Sequence, residues 1–206
     1  MNIVITGGAG FLGARLARTL LQQGQLSLAG AAPQPITRLT LVDRAAPAAD
    51  LMADARVAAV VGDLNELLKP NRAQASAIPS DAAIIFHLAA AVSGECEADF
   101  DLGMRSNLDA TRALLEACRA LGSAPTVVFA SSLAVFGDSP GQPAPPVLTD
   151  MTLPTPQTSY GLQQFLGEQL MADYGRQGFI CARNVRLMTV SVPPGTPNGA
   201  PSSSFT

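Results

Sequence analysis

Three glycines stand where a backbone must turn sharply and then approach a ligand closely. Residues 6–13 read Thr-Gly-Gly-Ala-Gly-Phe-Leu-Gly, so Gly7, Gly10 and Gly13 are spaced G-x-x-G-x-x-G. The loop follows a short apolar run, Ile3-Val4-Ile5. It opens a segment of helical period, residues 11–23, in which Leu12, Leu16 and Leu20, with Ala17 and Leu21 beside them, share one face before Gly24. Strand, glycine turn and helix in that order make a corner for a pyrophosphate. The glycines let the backbone reach the phosphates, and the helix start presents free amides and the positive end of its dipole. Gly7, Gly10, Phe11, Leu12 and Gly13 are the candidate contacts to a dinucleotide.

The second apolar run, residues 39–42, ends in Asp43. A carboxylate at that strand end accepts hydrogen bonds from the adenosine ribose hydroxyls and repels a 2′-phosphate, which selects NAD over NADP. Arg44 follows and is able to meet such a phosphate, so the choice is not closed by sequence. After the third run, residues 57–61, comes Gly62-Asp63-Leu64. Two readings of Asp63 stay open, a contact to the adenine amine and an ordinary turn aspartate.

Further apolar runs at 83–88, 126–130 and within 180–192 are expected to complete six strands. Helices are expected at 106–121, with Leu108, Thr111, Leu115 and Cys118 on one stripe, and at 160–174, with Leu162, Phe165, Leu166 and Leu170 in register. Strands apolar along their whole length, separated by helices, predict a parallel α/β sheet covered on both faces, a Rossmann-type doubly wound domain. Residues 29–38 read as a surface insertion with two prolines. Residues 139–156 carry prolines at 140, 143, 145, 146, 154 and 156 and must cross the surface.

Composition narrows the partners. A formal charge of −3 provides no basic patch for nucleic acid or an anionic membrane, and no apolar run is long enough to span a bilayer. The start, MNIVITGGAG, lacks a charged signal-peptide region, so a cytoplasmic protein is expected. Cys96, Cys118 and Cys181 lie far apart and far from His87, the one histidine, so neither a metal cluster nor a disulfide framework is expected. With that one histidine a Ser-His-Asp triad has little room. His87 itself reads as a packing residue at a strand end.

Taken together the motifs resemble the extended short-chain dehydrogenase/reductases, the NAD-dependent epimerase/dehydratase family. TGGAGFLG resembles the family's cofactor loop, and Phe86-His87-Leu88-Ala89-Ala90 its segment beneath the nicotinamide. Residues 128–137, VFASSLAVFG, resemble its serine strand, and Ser159-Tyr160-Gly161 the start of its catalytic helix. The resemblance implies hydride transfer between a hydroxyl carbon and NAD. Tyr160 would be the general base, Ser132 would hold the substrate oxygen, with Ser131 on the same wall, and Asn107 would shape the site. Leu64, Leu88, Ala89, Ala90, Tyr160 and position 164 would complete the cofactor contacts. Within the family the insertion before Asp43 and the Pro-Gly-Thr-Pro-Asn at 194–198 are most similar to members acting on sugar acids such as D-erythronate. The substrate expected is therefore a sugar acid, or else a nucleotide sugar if the chain is an epimerase or dehydratase. Family members commonly pair through the two helices named above, so a homodimer is expected. A non-catalytic NAD-binding regulator is the remaining alternative.

One position departs from the family pattern in a way that matters chemically. The family reads Tyr-x-x-x-Lys, and here Gln164 stands in the lysine's place. An ammonium there binds the nicotinamide ribose and lowers the phenol pKa, whereas an amide can hydrogen-bond but supplies no charge. Met188 stands where proline is usual and Pro193 where an arginine clamp for a carboxylate is usual. The domain reading is one NAD-binding domain over 1–206, with 193–206 beginning an incomplete substrate-binding part.

Overall fold

Every residue of β1 (Asn2–Thr6) is buried, because it runs through the middle of a six-stranded sheet. Successive side chains of a strand face opposite ways. Ile3 and Ile5 pack with Leu39, Leu41, Ala17 and Leu20 beneath α1 (Phe11–Gln23), while Val4 joins Ile85, Leu114, Val127 and Met171 on the other face. The computed structural model describes residues 1–69, 77–141 and 143–188.

After α1 come a short antiparallel pair, β2 (Gln25–Leu26) and β3 (Gln34–Pro35), then β4 (Arg38–Asp43), α2 (Ala49–Met52), β5 (Val57–Val61) and α3 (Leu64–Leu67). The second half runs β6 (Ala82–His87), α4 (Ser93–Ala98), α5 (Phe100–Gly103), a π-helical stretch (Met104–Asp109) and α6 (Ala110–Leu121). It ends with β7 (Thr126–Ser132), a 3-10 turn (Leu133–Val135), α7 (Ser159–Arg176) and β8 (Cys181–Leu187). The large sheet has the order β5-β4-β1-β6-β7-β8, and every neighbouring pair is parallel. The chain winds outward from β1 in one direction, then crosses and winds outward in the other. A crevice therefore opens at the carboxyl ends of β1 and β6, where the strand order reverses.

This is the doubly wound α/β architecture expected, with several local differences. The 29–38 insertion is not all loop: β3 forms inside it and pairs with β2. The helix expected from 106 is entered through the π-helical stretch, which carries an extra residue per turn and swings Asn107 inward, 4% exposed. The expected apolar stripe of α7 is not its buried face. Gly161, Gln163, Gln164, Gly167, Glu168 and Met171 face the protein, and Leu162 is 46% exposed. Strand β8 lies at the sheet edge and is largely exposed, in keeping with its arginines and asparagine. Residues 189–192 of the window expected to hold that strand, Pro193 and the 193–206 segment lie outside the described residues.

Candidate active site

The glycine loop is built by a collision that only glycine avoids. A Cβ on Gly13 would lie 2.1 Å from the Gly7 carbonyl oxygen, so α1 could not come this close to the loop with any side chain there. Gly7 itself holds φ +71°, and the Gly10 amide donates to its carbonyl at 3.1 Å to close the turn. Gly10 then caps α1 without any side-chain hydrogen bond, leaving the first amides of the helix for a ligand.

Beside this loop lies a cleft of about 340 Å³. Gly7, Gly10, Phe11, Leu12, Gly13, Asp43, Asp63, Leu64, Leu88, Ala89 and Ala90 all line it, and so does Arg44. Asp43 is fixed by two amides, Ala9 N–H donating to Oδ2 at 3.0 Å and Ala45 N–H to Oδ1 at 3.1 Å. Each oxygen keeps a lone pair for a hydroxyl donor. Asp63 is in part the ordinary turn residue: its Oδ1 caps α3 by accepting from the Asn65 amide at 2.9 Å. A cradle that a Cβ would fill, free helix-start amides and a carboxylate at the strand end suit a dinucleotide.

Tyr160, Ser132 and Gln164 meet beyond the lining of that cleft. A Cβ on Gly161 would lie 2.1 Å from the Ala134 carbonyl oxygen, so glycine lets the start of α7 press against the turn after β7. Tyr160 precedes this contact and Ser132 precedes the turn, and the close approach puts their side chains in reach of each other. The signal for this contact in the sequence is Gly161 itself, a poor helix former in a helix's first turn. Burial holds the Tyr160 phenol above its ordinary pKa, and the nearby Cys96 thiol adds to this. Side-chain hydrogen bonds from Ser132 and Gln164 offset burial only in part. Gln164 is 2% exposed and its Oε1 has no hydrogen-bond partner, an uncommon condition for a buried carbonyl.

Asn107, expected near the catalytic group, is a holder of backbone. Its Oδ1 accepts from the Ala91 amide at 2.7 Å. Its Nδ2 donates to Ala91 O at 3.1 Å and to Gln163 Oε1 at 2.9 Å, and lies 3.3 Å from Cys96 Sγ. Gln163 thus ties α7 to the segment after β6. Ser131 is not on the wall of Ser132. It points the other way and donates to Glu168 Oε1 at 2.5 Å, as alternation along a strand requires. Glu168, 3% exposed, also receives both arms of Arg186 at 2.9 and 2.7 Å, and that guanidinium lies 4.9 Å from the centre of the Phe136 ring. This part-buried pair joins β7, α7 and β8. Among the described residues no group of three or more His, Cys, Asp or Glu side chains is placed to hold a metal ion, and no helix is long and apolar enough to cross a membrane.

Sheet order, glycine corner and terminal aspartate together define a dinucleotide-binding α/β domain. The sequence profile of the NAD dependent epimerase/dehydratase family matches residues 3–206, and the chain belongs to that family. It is 56% identical over 203 residues to the D-erythronate dehydrogenase of Cupriavidus necator, covering 98% of this chain and 59% of that protein. Among solved structures it is similar to the nucleoside-diphosphate-sugar epimerase from Agrobacterium tumefaciens, with TM-score 0.82 and 41% identity over 100% of this chain and 57% of the other. A UDP-glucuronic acid 4-epimerase from Bacillus cereus, solved in complex with NAD, matches with TM-score 0.68 and 26% identity over 96% and 59%. The chain therefore spans about three-fifths of the length of these relatives.

Proposed function

We infer that this chain serves as an NAD-dependent oxidoreductase of the extended short-chain dehydrogenase type, acting at a hydroxyl carbon of a sugar acid such as D-erythronate. The observation that carries the reading is the meeting of the Tyr160, Ser132 and Gln164 side chains at one point, beside a cleft shaped for a dinucleotide. The relative named D-erythronate dehydrogenase supports the substrate class. A nucleotide-sugar epimerase has less support, since the more similar relative is a dehydrogenase.

NAD, when bound, supplies the hydride chemistry. The glycine loop and the α1 amides hold its pyrophosphate, and Asp43 accepts from the adenosine ribose hydroxyls. Asp63, Leu64, Leu88, Ala89 and Ala90 line the remaining walls. Ser132 donates to the substrate oxygen, and Tyr160 takes its proton as a phenolate. Gln164 accepts a ribose hydroxyl at its unpartnered Oε1, where a lysine would donate. A second copy of the chain covers Leu162, 46% exposed, with the partly buried Phe165 and Leu166 beside it.

Titrating the purified chain with NADH and then scanning four- to six-carbon sugar acids tests this. Saturable NADH binding with slow, alkaline-favoured oxidation of D-erythronate is expected. Binding without turnover on any acid would favour the second reading, a non-catalytic NAD-binding regulator, which the neutral Gln164 also supports.

A further inference from the structure

His87 ends β6 with its ring 1% exposed and 5.7 Å from the Phe129 ring, and both of its nitrogens have partners. Nδ1 lies 2.7 Å from the Thr6 hydroxyl and Nε2 lies 2.9 Å from the Thr111 hydroxyl. Counting hydrogens decides the tautomer. Thr111 gives its one hydroxyl hydrogen to the Asn107 carbonyl at 2.5 Å, so towards His87 it can only accept, and Nε2 carries the hydrogen. Thr6 accepts from the Ala89 amide at 3.3 Å and has its own hydrogen left for Nδ1. The groups facing the ring are thus two hydroxyls and a phenyl. Burial works in the same direction, pushing the imidazole down to about 4.

Both ends of this line matter. Thr6 is the last residue before the glycine loop, and a Cβ on Gly7 would lie 2.9 Å from the Ala89 nitrogen, so loop and Ala89 segment sit in direct contact. At the other end, Asn107 grips Ala91 through both backbone groups and holds Gln163. Gln163 adjoins Gln164 on the helix that begins at Tyr160.

We propose that His87 is a positioning residue: as the neutral Nε2–H tautomer it joins the root of the glycine loop to Asn107 through Thr111, so that filling the nucleotide cleft is felt at α7. The coupling rests on that cleft being the NAD site. The hydrogen-bond line does not.

The chain has a single histidine, so its ring nitrogens can be read without ambiguity in a long-range proton–nitrogen NMR spectrum of the whole protein. Nε2 is expected in the protonated range and Nδ1 in the unprotonated range, unchanged from pH 8 down to pH 5. Saturating NADH, with saturation read separately from its fluorescence, is expected to shift both nitrogens. A ring that only fills space would not respond. Thr111→Val keeps the shape and removes the acceptor. It should mix the tautomers and weaken NADH binding roughly threefold to tenfold, the loss of one buried hydrogen bond. His87→Gln, which keeps a donor towards Thr111, should bind NADH more tightly than His87→Phe. An Nδ1–H tautomer, titration near the ordinary histidine value, or ring nitrogens unmoved at saturation would each overturn the proposal. Absence of NADH binding would instead overturn the proposed function and the coupling, leaving only the tautomer assignment standing.

Discussion

Gln164→Lys should raise turnover and move the activity of the chain towards neutral pH. The Tyr160 phenol is held above its ordinary range by burial, and hydrogen bonds from Ser132 and Gln164 do not reverse this. Side chains four apart on a helix lie about 5–6 Å from each other. One unit charge at that distance, at an effective dielectric of about 20, favours a phenolate by about 3 kcal/mol. That is about two orders of magnitude in phenolate population, at the lower end of the 10²–10⁴ typical of acid–base assistance. Burying an ammonium at a position 2% exposed costs stability, so the variant should melt earlier while gaining rate. The sign with pH follows from the role proposed for Tyr160: as the base it makes activity climb on deprotonation, and the lysine shifts that climb to lower pH. The assay is steady-state NADH formation with D-erythronate and related sugar acids from pH 6 to 11, alongside a phenolate absorbance titration referenced to Tyr160→Phe. The adenosine half of the cofactor should bind as before. A parent chain already fast at neutral pH, or a variant with an unchanged pH profile, would refute the reasoning.

Two glycines at the same clearance should fail differently. Gly13→Ala should abolish NADH binding, and Gly161→Ala should spare it while removing turnover, as read by fluorescence titration and rate. His87 should make the fold acid-sensitive. Its folded value of about 4 lies below the usual 6.5, so its contribution is full above about pH 6.5 and is lost as the pH falls towards 4. That loss is about 3 kcal/mol, and it should be absent in His87→Gln when the two are compared by denaturant titration at each pH. Light scattering at micromolar concentration should report a dimer, and Leu162→Glu should give a monomer.

The glycine corner and the cleft beside it were legible in the sequence because their requirements are local. A glycine spacing, an apolar strand before it and an acid at the end of the next strand are each set within a few residues of chain. The inner strands of the large sheet were legible for the same reason, since buried parallel strands are short apolar runs, whereas the two-residue pair β2-β3 was not. What escaped was set by distant partners. Gln163 and Glu168 look like solvated helix residues until Asn107 and Arg186 are placed opposite them. The true inner face of α7 is polar and glycine-rich, so hydrophobic periodicity pointed to the wrong stripe. Helices of four residues such as α2 and α5 hold too few turns to show a period. Ser131 was misplaced by reading adjacency in sequence as adjacency in space, which a strand does not allow.

The central claim is that the cleft beside the glycine loop is an NAD site whose selectivity comes from Asp43. Calorimetric titration of the chain with NADH and with NADPH, repeated on Asp43→Ala, measures this directly. Saturable binding of NADH, weaker binding of NADPH and a narrowed preference in Asp43→Ala are predicted. Equal affinity for the two nucleotides, or a preference untouched by Asp43→Ala, would contradict it.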